Sequence, residues 1–397
     1  MRSEFLAFSP PCIGEDEIAE VVSTLRSGWI TTGPRVRRFE ESFAERLGAD
    51  GALAVSSCTD AMQVALASLG VGPGDAVFTT TMTFSATAHV VEHLGAVPVL
   101  VDVDSDTLNI DCNALEAAIE ATIADGALTP RAMIPVHFAG HPVDMAGVLS
   151  IAERFGLAVV EDAAHALPAS WNNTLVGDVG DGSVERAVAF SFYATKNLTT
   201  GEGGMLTATP ALLEEARLWS LHGMSRDAWN RYGKGGSWRY DVVRPGFKCN
   251  MTDIAAALGL VQLSRLDDFQ KRRQSVVERY NDAFFGLDLL QTPIVRPGVE
   301  PAWHLYVLRL ELDRLSIDRT RFIEELAARN IGSSVHFIPL HEMSFYRDKY
   351  SLSPAQFPVA SAEFERIVSL PLHPGLTDSD VDDVIEAVLD VVGTHRR

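Results

Sequence analysis

The lysine in FSFYATKNLTTGEGG, residues 190–204, sits where a side chain could do chemistry. An apolar, alternating run reads as a strand, offers Lys196 near its end, and breaks into Thr199, Thr200, Gly201, Glu202, Gly203 and Gly204. A strand-end lysine is ordinarily a solvated one. At the mouth of an apolar site it is easier to deprotonate, because burial penalises the ammonium, and a neutral amine can form a Schiff base. Pyridoxal phosphate is the cofactor that uses such a lysine. It also needs a carboxylate on its ring nitrogen, an anion site for its phosphate and a flat surface against its ring.

Two further stretches offer those groups. In LAVVEDAAHALPA the apolar strand should end near Asp162, at the carboxyl edge of a sheet where open α/β folds bind ligands. A strand-terminal aspartate capping the next helix would read the same way. In AVSSCTDAMQVAL a strand turns into a helix over Ser56, Ser57, Cys58, Thr59 and Asp60, so free backbone N–H groups and the helix dipole can meet a phosphate. An ordinary N-cap has the same appearance.

The elements that must position these groups alternate between strand and helix. Helical periodicity covers Glu15 to Arg26, VRRFEESFAERLG, Thr59 to Leu69 and Ser85 to Leu94. Strands are expected at ALAVSS, VFTTT, VPVLVDVD, AMIPVHF, LAVVEDA and AVAFSF. Continuously apolar, β-branched strands in such an alternation predict an α/β domain with a mainly parallel sheet covered by helices. After about residue 265 the pattern changes to a charged helix, LSRLDDFQKRRQSVVERYNDAFF, the strand WHLYVLRLEL, a helix from Arg319 to Asn330, the strand-like SSVHFIPL and a last helix, DSDVDDVIEAVLDVV. The expected division is a large domain over residues 1–265 and a smaller α+β domain over residues 266–397.

Composition narrows the function classes. A chain of 397 residues, 47% hydrophobic and 22% charged, reads as a soluble globular protein. A net charge of −20 argues against nucleic acid or an anionic membrane as partner, since both need clustered Lys and Arg. Cys12, Cys58, Cys112 and Cys249 form no C-x-x-C pair, and no signal core or membrane-length apolar run is present, which predicts a cytoplasmic protein. His89, Glu92 and His93 spell H-x-x-E-H, but no downstream glutamate pattern accompanies them, so no metal is expected. Asp102, Asp104 and Asp106 resemble the start of a calcium loop that lacks its Gly and Glu, and the glycines near Gly177 form no dinucleotide fingerprint.

Ordered blocks along nearly the whole chain resemble the DegT/DnrJ/EryC1/StrS group of pyridoxal-phosphate-dependent, fold type I sugar aminotransferases. They include GPRVRRFEESFAERLG, SSCTDAMQVAL, TFSATA, VDVDSDTLNID, EDAAHALPA, FSFYATKNLTTGEGG, GFKCNMTDIAAALGLVQL and VHFIPLH. The resemblance implies that Lys196 is the Schiff-base lysine and Asp162 the partner of the pyridine nitrogen. It implies Phe84 as the ring-stacking aromatic and His165 as a neighbour of the cofactor. Thr59 and Asp60 would belong to the backbone phosphate cradle, Ser191 would be a hydroxyl ligand of the phosphate, and Asn250 would reach that phosphate from the other subunit of a homodimer. Cys249 stands where an aromatic is more usual.

The implied reaction moves an amino group from an amino acid, glutamate, to a nucleotide-linked keto sugar such as a 4-keto-6-deoxyhexose. Related sugar dehydratases carry His where this chain has Lys196, which speaks against that alternative. A regulatory protein on the same scaffold is a further alternative, and the acidic charge weighs against DNA binding. The stretch HGMSRDAWNRYGKGGSWRYDVV, rich in Arg, Lys, Trp and Tyr, suits a nucleotide diphosphate and a sugar, or else a solvated loop.

Overall fold

The structure is a computed structural model that describes residues 2–224 and 240–397, so most of HGMSRDAWNRYGKGGSWRYDVV lies outside the described residues. Its centre is a seven-stranded sheet of β1 (Ala52–Val55), β2 (Asp75–Thr80), β3 (Val97–Val101), β4 (Thr129–Ile134), β5 (Ala158–Asp162), β8 (Arg186–Ser191) and β9 (Gly204–Ala208), in the order β1-β9-β8-β5-β4-β2-β3. Two short strands, β6 (Ser170–Trp171) and β7 (Thr174–Leu175), lie outside it and pair with each other, and β6 also pairs with β11 (Val299–Glu300). All pairings from β8 through β5, β4 and β2 to β3 are parallel, while β9 runs antiparallel to both β8 and β1. Two reversals cancel, so β1 points the same way as β8. The carboxyl ends of β1, β2, β5 and β8 therefore open on one edge, and β9 starts there.

Both faces of this sheet are covered. Leu53, Val55, Ala187, Ala189 and Leu206 enter one core, whereas Ala52, Ala54, Val188, Phe190 and Met205 enter another, as a strand's two-residue period requires. The flanking helices are α1 (Glu15–Ser27), α2 (Pro34–Leu47), α3 (Cys58–Ser68), α4 (Ala86–His93), α5 (Cys112–Asp125), α6 (Met145–Phe155), α7 (Pro210–Ser220) and α8 (Asp253–Ser264). Side-chain caps start several of them: Ser57 accepts the Asp60 N–H, Asp111 that of Ala114, and Thr252 that of Ala255. The buried Asp253 carboxylate caps α2 from a distance, accepting the N–H groups of Arg35 and Val36 at 3.2 and 3.0 Å.

The C-terminal part has its own core. α9 (Leu266–Phe284), α10 (Arg319–Ala328), α11 (Ser344–Tyr350), α12 (Pro358–Phe364) and α13 (Asp378–Thr394) accompany a three-stranded sheet of β10 (Leu290–Gln291), β12 (Tyr306–Leu310) and β13 (Ile367–Leu370). Val276, Tyr280, Tyr306, Leu308, Val384 and Val388 fill this core, joined by Leu6 from the start of the chain. Arg273 of α9 is buried and donates to the carbonyls of Trp303, His304 and Leu372 at 3.1, 3.4 and 2.8 Å. Burial pushes its guanidinium down to about 9. No helix among the described residues is long and apolar enough to cross a membrane.

Several elements differ from expectation. The charged C-terminal helix is broken at Arg265, which closes α8 before α9 begins. SSVHFIPL forms no strand: Ser334 makes one bridge to Ser369, and the Leu340 N–H turns to the Thr81 carbonyl. α5, α6, α7 and β9 are present where no element was anticipated, and α5 buries only Leu115 and Ile119 among its Ala-rich turns, a weak periodic signal.

The start of β9 needs a residue without a side chain. A Cβ on Gly204 would meet Ser57 C, Ser57 O and Cys58 N at 2.3, 2.4 and 2.6 Å, all backbone atoms that cannot swing aside. We predict that Gly204→Ala destabilises the protein by about 2 kcal/mol, the scale of an overpacked core, in a urea melt. An unchanged midpoint would show that this edge gives way freely.

Candidate active site

A cavity of about 480 Å³ opens at the shared edge, and Ser57, Thr59, Phe84, Asp162, His165, Ser191 and Lys196 all line it. They arrive from the ends of different strands: Ser57 and Thr59 after β1, Phe84 after β2, Asp162 and His165 at and after β5, Ser191 and Lys196 at and after β8. This is the expected place for a ligand in an open α/β sheet. His304, His336 and Phe337 of the C-terminal part complete the wall, and none of the three was anticipated as a site residue.

Lys196 follows a turn in which its N–H donates to the Tyr193 carbonyl at 2.9 Å. Burial lowers its ammonium to about 8, against the opposing pull of the Asp162 carboxylate. At neutral pH a usable fraction of this amine is therefore neutral.

Asp162 is 6% exposed. Its Oδ2 accepts the Thr87 hydroxyl at 2.8 Å, and its Oδ1 accepts the Ala164 N–H at 3.1 Å. No helix follows β5 before α7, so the simple helix-capping alternative does not apply. The neighbouring Glu161 points to the other face, where it meets His137 at 2.9 Å and pairs with Arg186. Burial works to raise Glu161, but Arg186 and His137 outweigh it and hold the carboxyl at about 2. Strand alternation thus assigns one of two adjacent carboxylates to the cavity.

The other residues divide clearly. Phe84 is 61% exposed and lines the cavity, its ring centroid 6.2 Å from that of Phe337. His165 is buried with its Nδ1 lacking any partner among the described residues, and its ring lies 4.3 Å from His304. Burial, then Lys196, push His165 well below the ordinary histidine value. His304 donates from Nδ1 to Asn197 Oδ1 at 3.1 Å, which ties the C-terminal wall to the residue after Lys196.

Asp60 and Asn250 lie apart from the cavity lining. The Asp60 N–H is taken by Ser57 Oγ at 3.0 Å, and its carboxylate accepts the hydroxyls of Ser56 and Ser57 at 2.6 and 2.8 Å. Asn250 bridges Val55 through its backbone, and its Nδ2 donates to Thr32 Oγ1 at 2.5 Å. It lines a separate hollow of about 950 Å³ beside Trp29 and Arg217.

The H-x-x-E-H match lies on α4, where its glutamate is engaged from α11. Glu92 accepts Lys349 Nζ at 2.5 Å and the Tyr350 hydroxyl at 2.6 Å, anchoring α11, and no metal-binding group occurs among the described residues.

The residues present fit a pyridoxal phosphate group. A weakened lysine base, a carboxylate with its spare lone pairs at a strand end, an exposed aromatic face, an orphaned buried imidazole nitrogen and the N-terminal turn of α3 share one cavity.

Comparison with known proteins bears on the same cavity. Residues 11–389 match the model of the DegT/DnrJ/EryC1/StrS aminotransferase family. Spore coat polysaccharide biosynthesis protein SpsC of Bacillus subtilis is 50% identical over 395 residues, covering 98% of both chains. The putative sugar aminotransferase Spr1654 from Streptococcus pneumoniae, solved in PMP and PLP forms, is 37% identical with TM-scores of 0.89 and 0.88, each covering 98% of this chain and 99% of that one. A lysine, a carboxylate and an open aromatic face at one sheet edge, together with a match over nearly the full length, place this chain in the DegT/DnrJ/EryC1/StrS aminotransferase family, whose solved members share its fold type I architecture.

Proposed function

We propose that this enzyme transfers the amino group of L-glutamate to a nucleotide-linked keto sugar, a 4-keto-6-deoxyhexose, with aminated C4 as the product centre. Pyridoxal phosphate is its cofactor and, once bound, supplies an electron sink for the carbon that loses or gains a proton. The observation that carries this reading is Lys196 beside Asp162 in the cavity, with the amine held at about 8. Lys196 takes and returns the proton, because its neutral form is accessible at working pH. Asp162 holds a proton on the ring nitrogen, and Phe84 covers one ring face. Thr59, the backbone around Asp60, Ser191 and the start of α3 hold the phosphate, while the His165 imidazole offers its free nitrogen to the ring substituents. The relatives support a sugar as acceptor: SpsC is named for polysaccharide biosynthesis and Spr1654 as a putative sugar aminotransferase.

The same proposal includes a cytoplasmic homodimer in which Asn250 completes the partner's phosphate site. Asn250 lines a different hollow from its own Lys196, and Trp29, 53% exposed, lines the same hollow as Asn250. Free Cys12, Cys58, Cys112 and Cys249 suit a reducing compartment. We divide the chain at 265/266, supported by the separate core around β12 and β13, with Leu6 crossing that boundary.

Lys196→Met should abolish both amino transfer and the visible absorbance of the bound cofactor. Its folded pKa lies below the usual lysine value of 10.5, so the folded, cofactor-free protein carries a charge penalty at pH 7. The variant should then be more stable than the parent by on the order of 2 kcal/mol at pH 7, and that gain should fade as pH rises from about 8 to about 10.5. Denaturant melts of both proteins across this range test it, and a gain independent of pH would remove the buried-ammonium account.

Asp162→Asn should lower turnover by about 10²-fold or more while shifting the melting temperature little, since the amide fills the same space. Comparable losses in both would reduce Asp162 to a structural role.

Asn250→Ala should weaken cofactor retention, and mixing it with Lys196→Ala subunits should restore activity above either parent variant. One site of each hybrid then keeps both residues, provided subunit exchange is verified by mass labelling. No restoration on verified exchange would place Asn250 in its own chain's site.

A further inference from the structure

Residues 2–13 have little regular structure, yet they run from the C-terminal core to the turn that carries Lys196. Arg2 pairs with Asp380 and with Asp383 at 3.0 Å, and the Arg2 carbonyl accepts Asn330 Nδ2 at 2.9 Å. The Leu6 N–H donates to the Asn330 carbonyl at 2.8 Å, and the Leu6 carbonyl accepts the Gly332 N–H at 2.9 Å. A Cβ at position 332 would lie 2.7 Å from that carbonyl, so the close approach depends on glycine. Ser9 Oγ then donates to the Thr195 carbonyl at 3.4 Å, and the Cys12 carbonyl accepts Gln262 Nε2 at 2.9 Å. Between these anchors Phe8 stacks on His336, with ring centroids 5.5 Å apart and planes 25° apart.

His336 is the ring through which this segment meets the cavity. Its Nδ1 is engaged by Ser369 Oγ at 2.8 Å, Phe337 packs against it edge-on at 5.2 Å, and it lines the cavity with Lys196. The cofactor groups proposed above all come from residues 57–196 and Asn250, so the wall made by His304, His336 and Phe337 is left for the substrate. We infer that Phe8 is a positioning residue: it acts through His336, fixing the plane of that ring and with it the C-terminal wall that receives the substrate. The inference rests on the aminotransferase reading for the word substrate, but the geometry of Phe8 and His336 stands independently of it.

The charged and titratable groups around His336 are Lys196, His165 and His304, and burial followed by Lys196 lowers its imidazole to about 4. Removing the Phe8 ring admits water to one face and should move His336 up toward the ordinary histidine value of about 6.5. The test uses the full chain as parent, Phe8→Ala, Phe8→Leu and Phe8→Tyr. In cofactor-free protein, NMR titration of the His336 ring protons should show the upward shift in Phe8→Ala and Phe8→Leu, and the parent value in Phe8→Tyr. In loaded enzyme, bleaching of the visible cofactor absorbance by L-glutamate in single turnover should need about tenfold more glutamate in the Ala and Leu variants, the scale of one aromatic pair. The limiting rate and the starting spectrum should stay near those of the parent, and Phe8→Tyr should restore the parent's glutamate dependence. An unmoved His336 titration in both truncated variants, or a Tyr variant as impaired as Ala, overturns the inference. A parent enzyme that does not react with glutamate counts against the donor reading instead, and the imidazole titration still decides the role of Phe8. Phe8→Leu keeps part of the apolar volume but uncovers the His336 ring face, and carries both measurements if Phe8→Ala does not fold.

Discussion

The site depends on keeping an amine and a carboxylate together in a cavity that penalises both charges. The two are treated differently. Asp162 is given donors, the Thr87 hydroxyl and the Ala164 N–H, while Lys196 has no hydrogen-bonded counter-ion among the described residues and answers burial by becoming a weaker base, near 8. Had Lys196 been closely ion-paired, its pKa would have risen and its proton would have been harder to give up. The separation between a well-supported carboxylate and a weakly supported amine is what makes the lysine usable for proton transfer.

Sheet topology and histidine chemistry both serve that separation. The single reversed strand β9 lets β1 and β8 end at the same edge and brings Gly204 against Ser57, so that the first turn of α3 reaches the cavity floor. Around Lys196 stand His165, His304 and His336, all lowered by burial. Protonated imidazoles there would repel the ammonium and any cation formed nearby. Neutral ones leave the cavity's charge to Lys196, Asp162 and Glu202 while keeping ring faces and nitrogen atoms available.

Local sequence was informative where a strand end and a functional residue coincide. Asp162 and the Ser57–Thr59 turn were legible because an apolar strand stops and a polar group appears at once, whereas Lys196, expected at a strand end, lies in the turn that follows the end of β8 at Ser191. Phe84 was not legible locally, since a phenylalanine between strand and helix reads as core, and only the family resemblance singled it out; its 61% exposure now gives a physical reason. Asp60 shows the limit of the motif, because its side chain serves Ser56 and Ser57 and leaves the cavity to Thr59. His304 and His336 could not be found by spacing at all, being brought in by β12 and by an irregular segment more than a hundred residues after Lys196. The antiparallel direction of β9 was equally silent, since GMLTA is apolar whichever way it runs.

What joins the C-terminal wall to the sheet edge is largely main chain. Arg273, a buried cation, spends its NH1 donors on the carbonyls of Trp303, His304 and Leu372, with no carboxylate partner among the described residues. A carboxylate would compensate the charge better, but it would fix a side chain; the three carbonyls instead fix the backbone of two segments on either side of β13 and β12. Asn197 does the same in the other direction, donating to the Ala302 carbonyl at 2.7 Å while accepting from His304. The backbone of the wall is thus held by Arg273 and Asn197, while the rings of His304 and His336 are held in turn by Asn197 and by Ser369 and Phe8.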